Sequence, residues 1–296
     1  MNKKLKACIR DSLRFILGKK NYTRIRFYIV HGYFLNLKSP KTFSEKIIAR
    51  KFDNESIKYS TFVDKYVVRE YVARTIGNEF LIPIIDKKNF LKVDDFNEYP
   101  NSFVIKTSNG GGGENVLIVE DKSKLDLEKI CIQFNSYLKI KIGKAIDEEF
   151  YDIEKPCIII ERLMKHQDGS YPSDYKIHIF NDINEKRNIF IQVDTDRFSD
   201  HKRSIYNESL EVESFNIQPK YKKVDANYCF PQNIKKLINL AKTLSDGFSY
   251  VRVDMYSIDG HIYFGEMTFC HGSGWEPISS KHADLMLGNL WREYNY

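Results

Sequence analysis

No apolar run in this chain approaches the roughly 20 residues that a membrane-spanning helix needs. The first residues also lack the unbroken apolar core of a secretory signal, because charges interrupt it. Cysteine is sparse: Cys8, Cys131, Cys157, Cys229 and Cys270 are odd in number, scattered, and show no Cys-x-x-Cys or histidine spacing for zinc. A disulfide scaffold and a zinc module are thereby excluded, and a reducing cytoplasm is the expected home. An excess of positive charge is missing from most of the chain. Residues 1–30 carry nine Lys/Arg against one acid, whereas the remaining 266 residues hold 37 basic and 39 acidic side chains. The body is therefore no polyanion binder, and with no nucleic-acid-binding motif, nucleic acid is not an expected partner. Internal repeats are absent, and the only low-complexity tract is four glycines at 110–113. With 42% apolar and 14% aromatic residues the chain is globular, and its 296 residues suffice for one large core or two to three lobes.

What the chain does have is concentrated in SYVRVDMYSIDGHIYFGEMTFCHGSG, residues 249–274. Two alternating runs flank Asp259-Gly260, the pattern of a β-hairpin entering a glycine-rich loop. Val251, Val253 and Met255 share one face and Arg252, Asp254 and Tyr256 the other, so charge stands where a core strand would be apolar. A two-residue turn would put Asp254 and Glu266 on opposite faces. A three-residue loop at 258–260 instead sets Ser257 against His261 and Arg252 against Glu266, with Asp254 one diagonal step away. We expect the three-residue loop, because two carboxylates beside an arginine, with Thr268 on the same face, suit a hard cation and the phosphates it bridges. The plainer alternative is a salt-bridged hairpin with one wet face.

The remaining elements follow from periodicity and caps. Residues 3–17 form a basic amphipathic helix, whose apolar stripe is expected to pack on the protein's own core, the alternative being an anionic membrane surface under residues 1–20. Thr42-Phe-Ser-Glu45 is a capping box opening a helix to about Lys51. A second helix is expected over 61–75, burying Phe62, Tyr66, Val67 and Tyr71 or Val72, and ending at Gly77. FVIKTSNGGGGENVLIV (103–119) reads as strand, loop, strand. Gly110, Gly111, Gly112 and Gly113 permit backbone N–H groups to turn around an anion, with Lys106 supplying charge, although no Walker Lys-Ser/Thr follows. A helix over 123–138 leads to an apolar strand at 157–160 that ends in Glu161-Arg-Leu-Met. Strands at 174–180 and 188–193 follow, then a polar segment, 194–206, containing Asp194, Arg197, His201 and Arg203, which is expected to be a surface loop able to hold substrate. A helix capped by Asn233 precedes the hairpin.

Taken in order, DKYVVREY, FVIKTSNGGGGENVLIV, IIIERLM, DYKIHIF and RVDMYSIDGHIYFGEMT resemble the ATP-grasp superfamily, specifically the TupA-like branch associated with teichuronopeptide and other cell-surface polysaccharides. The resemblance spans about 38–291. It implies an α+β ATP-grasp fold in which two lobes enclose ATP beside a small helical N-terminal region. The divisions it suggests are 1–63, a lid lobe at 64–160 and a metal-bearing lobe at 161–296. It further implies that Lys106 contacts phosphate and adenine, that Glu161 and backbone near Leu163 read adenine, and that Asp174 reaches the ribose and Lys176 the phosphates. The glycines 110–113 would close over the nucleotide, and Asp254, Glu266 and Thr268 would hold Mg²⁺, Thr268 replacing the usual asparagine. Lys65 and Arg69 match a motif of the branch whose role the resemblance leaves open.

The implied activity is an ATP-dependent carboxylate–amine ligase in capsule, O-antigen or related glycan synthesis, taking a small carboxylate and an amine or glycan precursor. Arg252 would offset charge on the transferred phosphoryl group. Arg197, His201 and Arg203 are the candidates for holding an anionic substrate, and His271 is a candidate near the acceptor. A sugar kinase on the same ATP site, a glycosyltransferase using Asp194-Thr-Asp196, and a non-catalytic ATP-binding protein are the alternatives. The expected location is cytoplasmic, with or without peripheral contact at the inner leaflet.

Overall fold

The computed structural model describes residues 3–110, 115–182, 187–196 and 200–292. At the N-terminus α1 (Lys3–Leu17) and α2 (Lys19–His31) pack on each other across Gly18, whose φ of 74° suits a residue without Cβ. The expected stripe of α1 does not reach the core: Leu13 and Ile16 are exposed, while Arg14 turns inward to the carboxylate of Asp147. The next helix, α3 (Phe43–Arg50), begins with the expected capping box. Thr42 accepts from the Glu45 N–H at 3.1 Å, and Glu45 accepts from the Thr42 N–H at 3.0 Å.

The single helix expected over 61–75 is broken into α4 (Ser60–Val63) and α5 (Val68–Thr75). Asp64 causes the break. Its Oδ1 accepts from the backbone N–H groups of Tyr66 and Val67, both at 2.9 Å, and its Oδ2 accepts from the Ser108 hydroxyl at 2.6 Å. Local side-chain acceptance of this kind competes with the helical ladder. The buried positions become Val63, Val68 and Val72, and Tyr66 is exposed rather than buried.

Two antiparallel sheets follow. The smaller contains β1 (Ile84–Lys88), β2 (Phe103–Thr107), β3 (Val116–Val119) and β4 (Ile158–Arg162) in the order β1-β4-β2-β3. Helix α6 (Leu127–Tyr137) packs on it through Ile130 and Phe134, making a core with Phe103, Ile105, Ile158 and Ile160. This helix starts four residues later than expected, because Asp126 accepts from the Lys129 N–H and fixes its N-terminus. A short α7 (Ile142–Ile146) follows. The lobe division expected at 160/161 would cut through β4.

The larger sheet contains β5 (Asp174–Asn181), β6 (Arg187–Thr195), β7 (Lys202–Asn207), β8 (Tyr250–Ile258) and β9 (His261–Thr268) in the order β7-β6-β5-β8-β9. Part of the expected surface loop at 194–206 is therefore a strand, pairing Asp194 with Arg203. Helices α8 (Ile234–Leu244) and α9 (Lys281–Leu290) add Leu237, Ala241, Leu244 and Leu287 to its core. Phe43, Tyr59, Val63, Val68 and Val72 lie in that same core, so the segment from α3 to α5 packs with the larger sheet. Asn233 makes no cap on α8. It binds the hairpin turn instead, donating to the Gly260 carbonyl at 3.0 Å and accepting from Ser257 at 2.8 Å.

The turn of the β8–β9 hairpin corrects the register argument. Ile258 pairs with His261, so the loop has two residues, and Asp259 (φ 48°) and Gly260 (φ 84°) are both left-handed as a type I′ turn requires. On that register alone the two acids would face apart. Gly265 restores the match: Met255 pairs with Phe264 and Asp254 with Glu266, leaving Gly265 as the extra residue of a β-bulge. A Cβ on Gly265 would lie 3.0 Å from the Asp254 carbonyl oxygen, which is why glycine stands there.

Candidate active site

On the larger sheet, alternation brings Arg252, Asp254, Glu266 and Lys176 to one face. Arg252 Nε donates to Asp254 Oδ1 at 2.6 Å, and its Nη2 donates to Asp254 Oδ2 at 2.7 Å and to Glu266 Oε1 at 2.9 Å. Lys176 lies opposite Asp254 across β5 and β8, and its Nζ donates to Asp254 Oδ2 at 2.7 Å and to Asp174 Oδ2 at 2.6 Å. Thr268 sits across from Arg252 and donates to Glu266 Oε1 at 3.4 Å. Burial pushes the Asp254 carboxyl up, opposed by Arg252 and Lys176, while the Arg252 guanidinium, desolvated but flanked by Asp254 and Glu266, is held firmly charged.

The smaller sheet supplies the facing cluster. Lys106 is opposite Ile159, so Glu161, two residues on, shares its face, and the two side chains pair at 2.6 Å. Glu161 also lies 3.6 Å from Arg69, which donates to the Ile82 carbonyl. Leu163 directly follows β4, half-buried. Between the clusters stands Lys65, which donates to the Gly110 carbonyl and lies 3.8 Å from Glu266. Its burial lowers its pKa, and its ammonium feels Glu266, Lys106 and Glu161 at once. The break at Asp64 is what releases Lys65 from a helix and aims it here, while Lys65 N–H donates to the Ser108 carbonyl at 2.8 Å.

Arg203 and His201 are placed otherwise than expected. Arg203 is buried, with Nε at 2.6 Å from Asp194 Oδ1 and Nη1 at 2.8 Å from Glu276 Oε2, and His201 lies 2.9 Å from the same Asp194 oxygen. Both are engaged by carboxylates of the chain, and Asp194 accepts from Arg203 and Gln192, so this cluster is a buried ion-pair network on the strands rather than part of a surface loop. Burial alone would raise the Asp194 carboxyl, but Arg203 and Lys176, with hydrogen bonds from Arg203 and Gln192, hold it at about 2. Arg197 and Gly111, Gly112 and Gly113 lie outside the described residues.

His271 ties the two networks together. Arginine can only donate, so Arg252 Nη1 donates a hydrogen bond to His271 Nδ1 at 2.8 Å, and the imidazole proton sits on Nε2, 3.2 Å from Glu276 Oε2. Burial lowers the His271 pKa, consistent with that neutral ring. Glu276, Ser108 and Asp64 support the site from behind it, and sequence reasoning missed them. Each acts by pairing with a partner remote in the chain, and no local pattern marks them.

The site carries five cations, Lys65, Arg69, Lys106, Lys176 and Arg252, against the four carboxylates Glu161, Asp174, Asp254 and Glu266. It is therefore nearly neutral as it stands, and a triphosphate entering it needs additional positive charge. The two hard carboxylates and the Thr268 hydroxyl, gathered at the Arg252 guanidinium, are the donor set that suits Mg²⁺. Among the described residues no group of three or more His, Cys, Asp or Glu side chains is arranged to hold a metal, so the third oxygen has to come from Thr268 or from the substrate.

A family model described as TupA-like ATPgrasp matches residues 45–292. No curated protein matches the chain. Among solved structures it is similar to a D-alanine-D-alanine ligase from Helicobacter pylori, with 16% identity, TM-score 0.44, and coverage of 84% of this chain and 69% of that one. An L-amino acid ligase from Bacillus licheniformis is similar at 14% identity and TM-score 0.44, over 78% of this chain. This chain spans about half the length of that enzyme, 49%.

Proposed function

The chain belongs to the TupA-like ATP-grasp family, and from that premise we propose that it is an ATP-dependent carboxylate–amine ligase acting in the synthesis of a surface polysaccharide. The observation that carries the reading is the meeting of two clusters from different sheets, Lys106–Glu161 and Arg252–Asp254–Glu266, with Lys65 between them. Each cation is now held by a carboxylate. ATP phosphates exchange for those carboxylates, so that Lys106, Lys176 and Lys65 bind the triphosphate while Glu161 and the backbone beside Leu163 take the base and Asp174 the ribose. Lys65 also donates to the Gly110 carbonyl, which places Gly110 beside these cations.

The reaction takes place in two balanced steps. A substrate carboxylate oxygen attacks the γ-phosphorus and ADP leaves. An amine nitrogen then attacks the acyl carbon, phosphate departs with the acyl oxygen's bonding pair, and the nitrogen loses a proton. Arg252 sits buried where charge accumulates on the transferred group, and preorganised charge of this kind is where phosphoryl transfer gains most. Asp254 and Glu266 with Thr268 would hold Mg²⁺, which would supply the further positive charge that the near-neutral site lacks. Arg203, bound to Asp194 and Glu276, positions His271 and through it Arg252. A lid lobe of about 84–162 is proposed in place of 64–160, because it keeps β4 and the smaller sheet whole.

The test is a phosphate-release screen of uronic acids and nucleotide-linked uronic acids against amino acids and amino sugars, with Glu266→Gln as the control. The expected result is one phosphate per amide, requiring both substrates. A stable phosphorylated product formed without an amine overturns the ligase in favour of a kinase.

A further inference from the structure

The N-terminal helix pair is amphipathic the wrong way round for a segment that merely packs on its own protein. Ile9, Leu13 and Ile16, spaced at i, i+4 and i+7, form an exposed row on α1, and Phe15, next to Ile16 in sequence, is 91% exposed. The inward face is instead charged. Arg14 binds the Asp147 carboxylate and the Ala145 carbonyl, Lys19 lies 3.2 Å from the same carboxylate, and Arg26 stacks over the Trp275 ring at 3.9 Å. Helix α2 buries Thr23 and the apolar Phe27, yet it too carries large apolar side chains outward, Ile25, Tyr28 and Ile29, the last at 75% exposure. Phe34, 81% exposed, stacks on Tyr28 with ring centroids 4.9 Å apart.

We propose that this outward apolar face is a docking surface for an anionic phospholipid layer. Charge selects the occupant. Residues 1–30 hold nine Lys/Arg and one acid in a chain whose remainder is slightly acidic. The exposed Lys20 and Arg24 precede Tyr28 at four-residue steps, so positive charge lines the same side as the apolar contacts. Apolar side chains that enter the acyl boundary, flanked by cations that meet lipid phosphates, make up an interfacial anchor. A second copy of this chain fits poorly, since it would set two strongly positive segments against each other. Among the described residues no helix is long and apolar enough to cross a membrane, so the contact is one of lying on the surface. Such an anchor would hold the site described above beside lipid-linked substrates; the inference itself rests on the helix pair alone.

Co-sedimentation of the full chain with vesicles tests it, using phosphatidylcholine alone and a phosphatidylcholine–phosphatidylglycerol mixture. Binding is expected only to the anionic vesicles. A Phe15→Ser/Ile29→Ser double variant should bind at least about tenfold more weakly. Lys20→Glu/Arg24→Glu should bind at least about 30-fold more weakly, at roughly 1 kcal/mol per cation lost. These side chains are exposed, so the melting temperature and Mg²⁺·ATP affinity of both variants should match the parent, which separates a failure here from a failure of the ligase reading. Absence of binding, or equal binding by parent and variants, overturns the proposal. A concentration-dependent dimer abolished by Phe15→Ser/Ile29→Ser overturns it in favour of self-association.

Discussion

Glu266→Gln and Asp254→Asn remove the same charge from neighbouring strands but differ sharply in what else they remove. Asp254 is fully enclosed and accepts from Arg252 twice and from Lys176 once. Breaking a buried ion pair costs about 3–5 kcal/mol, yet Lys176 keeps Asp174 and Arg252 keeps Glu266, so about 2–4 kcal/mol is the expected loss. At about 2–4 °C per kcal/mol for a chain of this size, Asp254→Asn should lower Tm by roughly 4–16 °C. Glu266 is 29% exposed at its side chain and contributes one bond to Arg252 and a longer contact to Lys65. Its partly solvated pair contributes about 0.5–1 kcal/mol, or roughly 1–4 °C. If both acids hold the cation that accompanies ATP, the two variants should lose Mg²⁺-dependent ATP binding to a similar degree, about 100-fold or more, despite their unequal stability. Calorimetric titration of ATP with Mg²⁺ and with chelator, beside thermal melting, reads both quantities. Glu266→Gln that binds Mg²⁺·ATP as the parent does would refute the reasoning, and so would a loss of binding that simply tracks the loss of stability.

Lys106→Ala should weaken ATP binding by about 10–100-fold, the worth of a charge-assisted hydrogen bond, with little change in Tm because Arg69 remains beside Glu161; calorimetry and melting check it. Gly265→Val should cost about 1–3 kcal/mol by forcing Cβ against the Asp254 carbonyl, and should also reduce ATP affinity by disturbing the bulge that sets Asp254 opposite Glu266. Gly288→Ala in α9 should destabilise despite alanine's better helix propensity, since its Cβ would fall 2.0 Å from the Lys41 carbonyl oxygen; a fall in Tm of at least about 5 °C is expected. Asp194 has its folded pKa depressed to about 2 from 3.8, so its stabilisation of about 2 kcal/mol is present above pH 4 and lost as pH falls toward 2. Urea unfolding midpoints of the parent and Asp194→Asn should therefore converge over that window, and a constant difference contradicts the ion-pair account.

The local elements and the family were written in the sequence, because both rest on short-range pattern. Thr42 and Glu45 announce a helix start, alternation from Tyr250 to Thr268 announces a hairpin, and five motifs in order mark an ATP-grasp chain. Tertiary structure decided what those patterns leave free. A turn length does not fix a register when a glycine downstream can bulge, and only the paired strands show that Gly265 brings Asp254 and Glu266 together. Nor does helical periodicity reveal the break at Asp64, because its donor partner Ser108 is 44 residues away. Arg203, expected in a surface loop, lies instead on β7, paired with Asp194, and the segment after Gly274 brings Glu276 against it. The outward-facing apolar stripe of α1 is the same case: amphipathicity gives a helix two faces, and which one the protein covers depends on what the rest of the chain, here Asp147 and Trp275, presents to it.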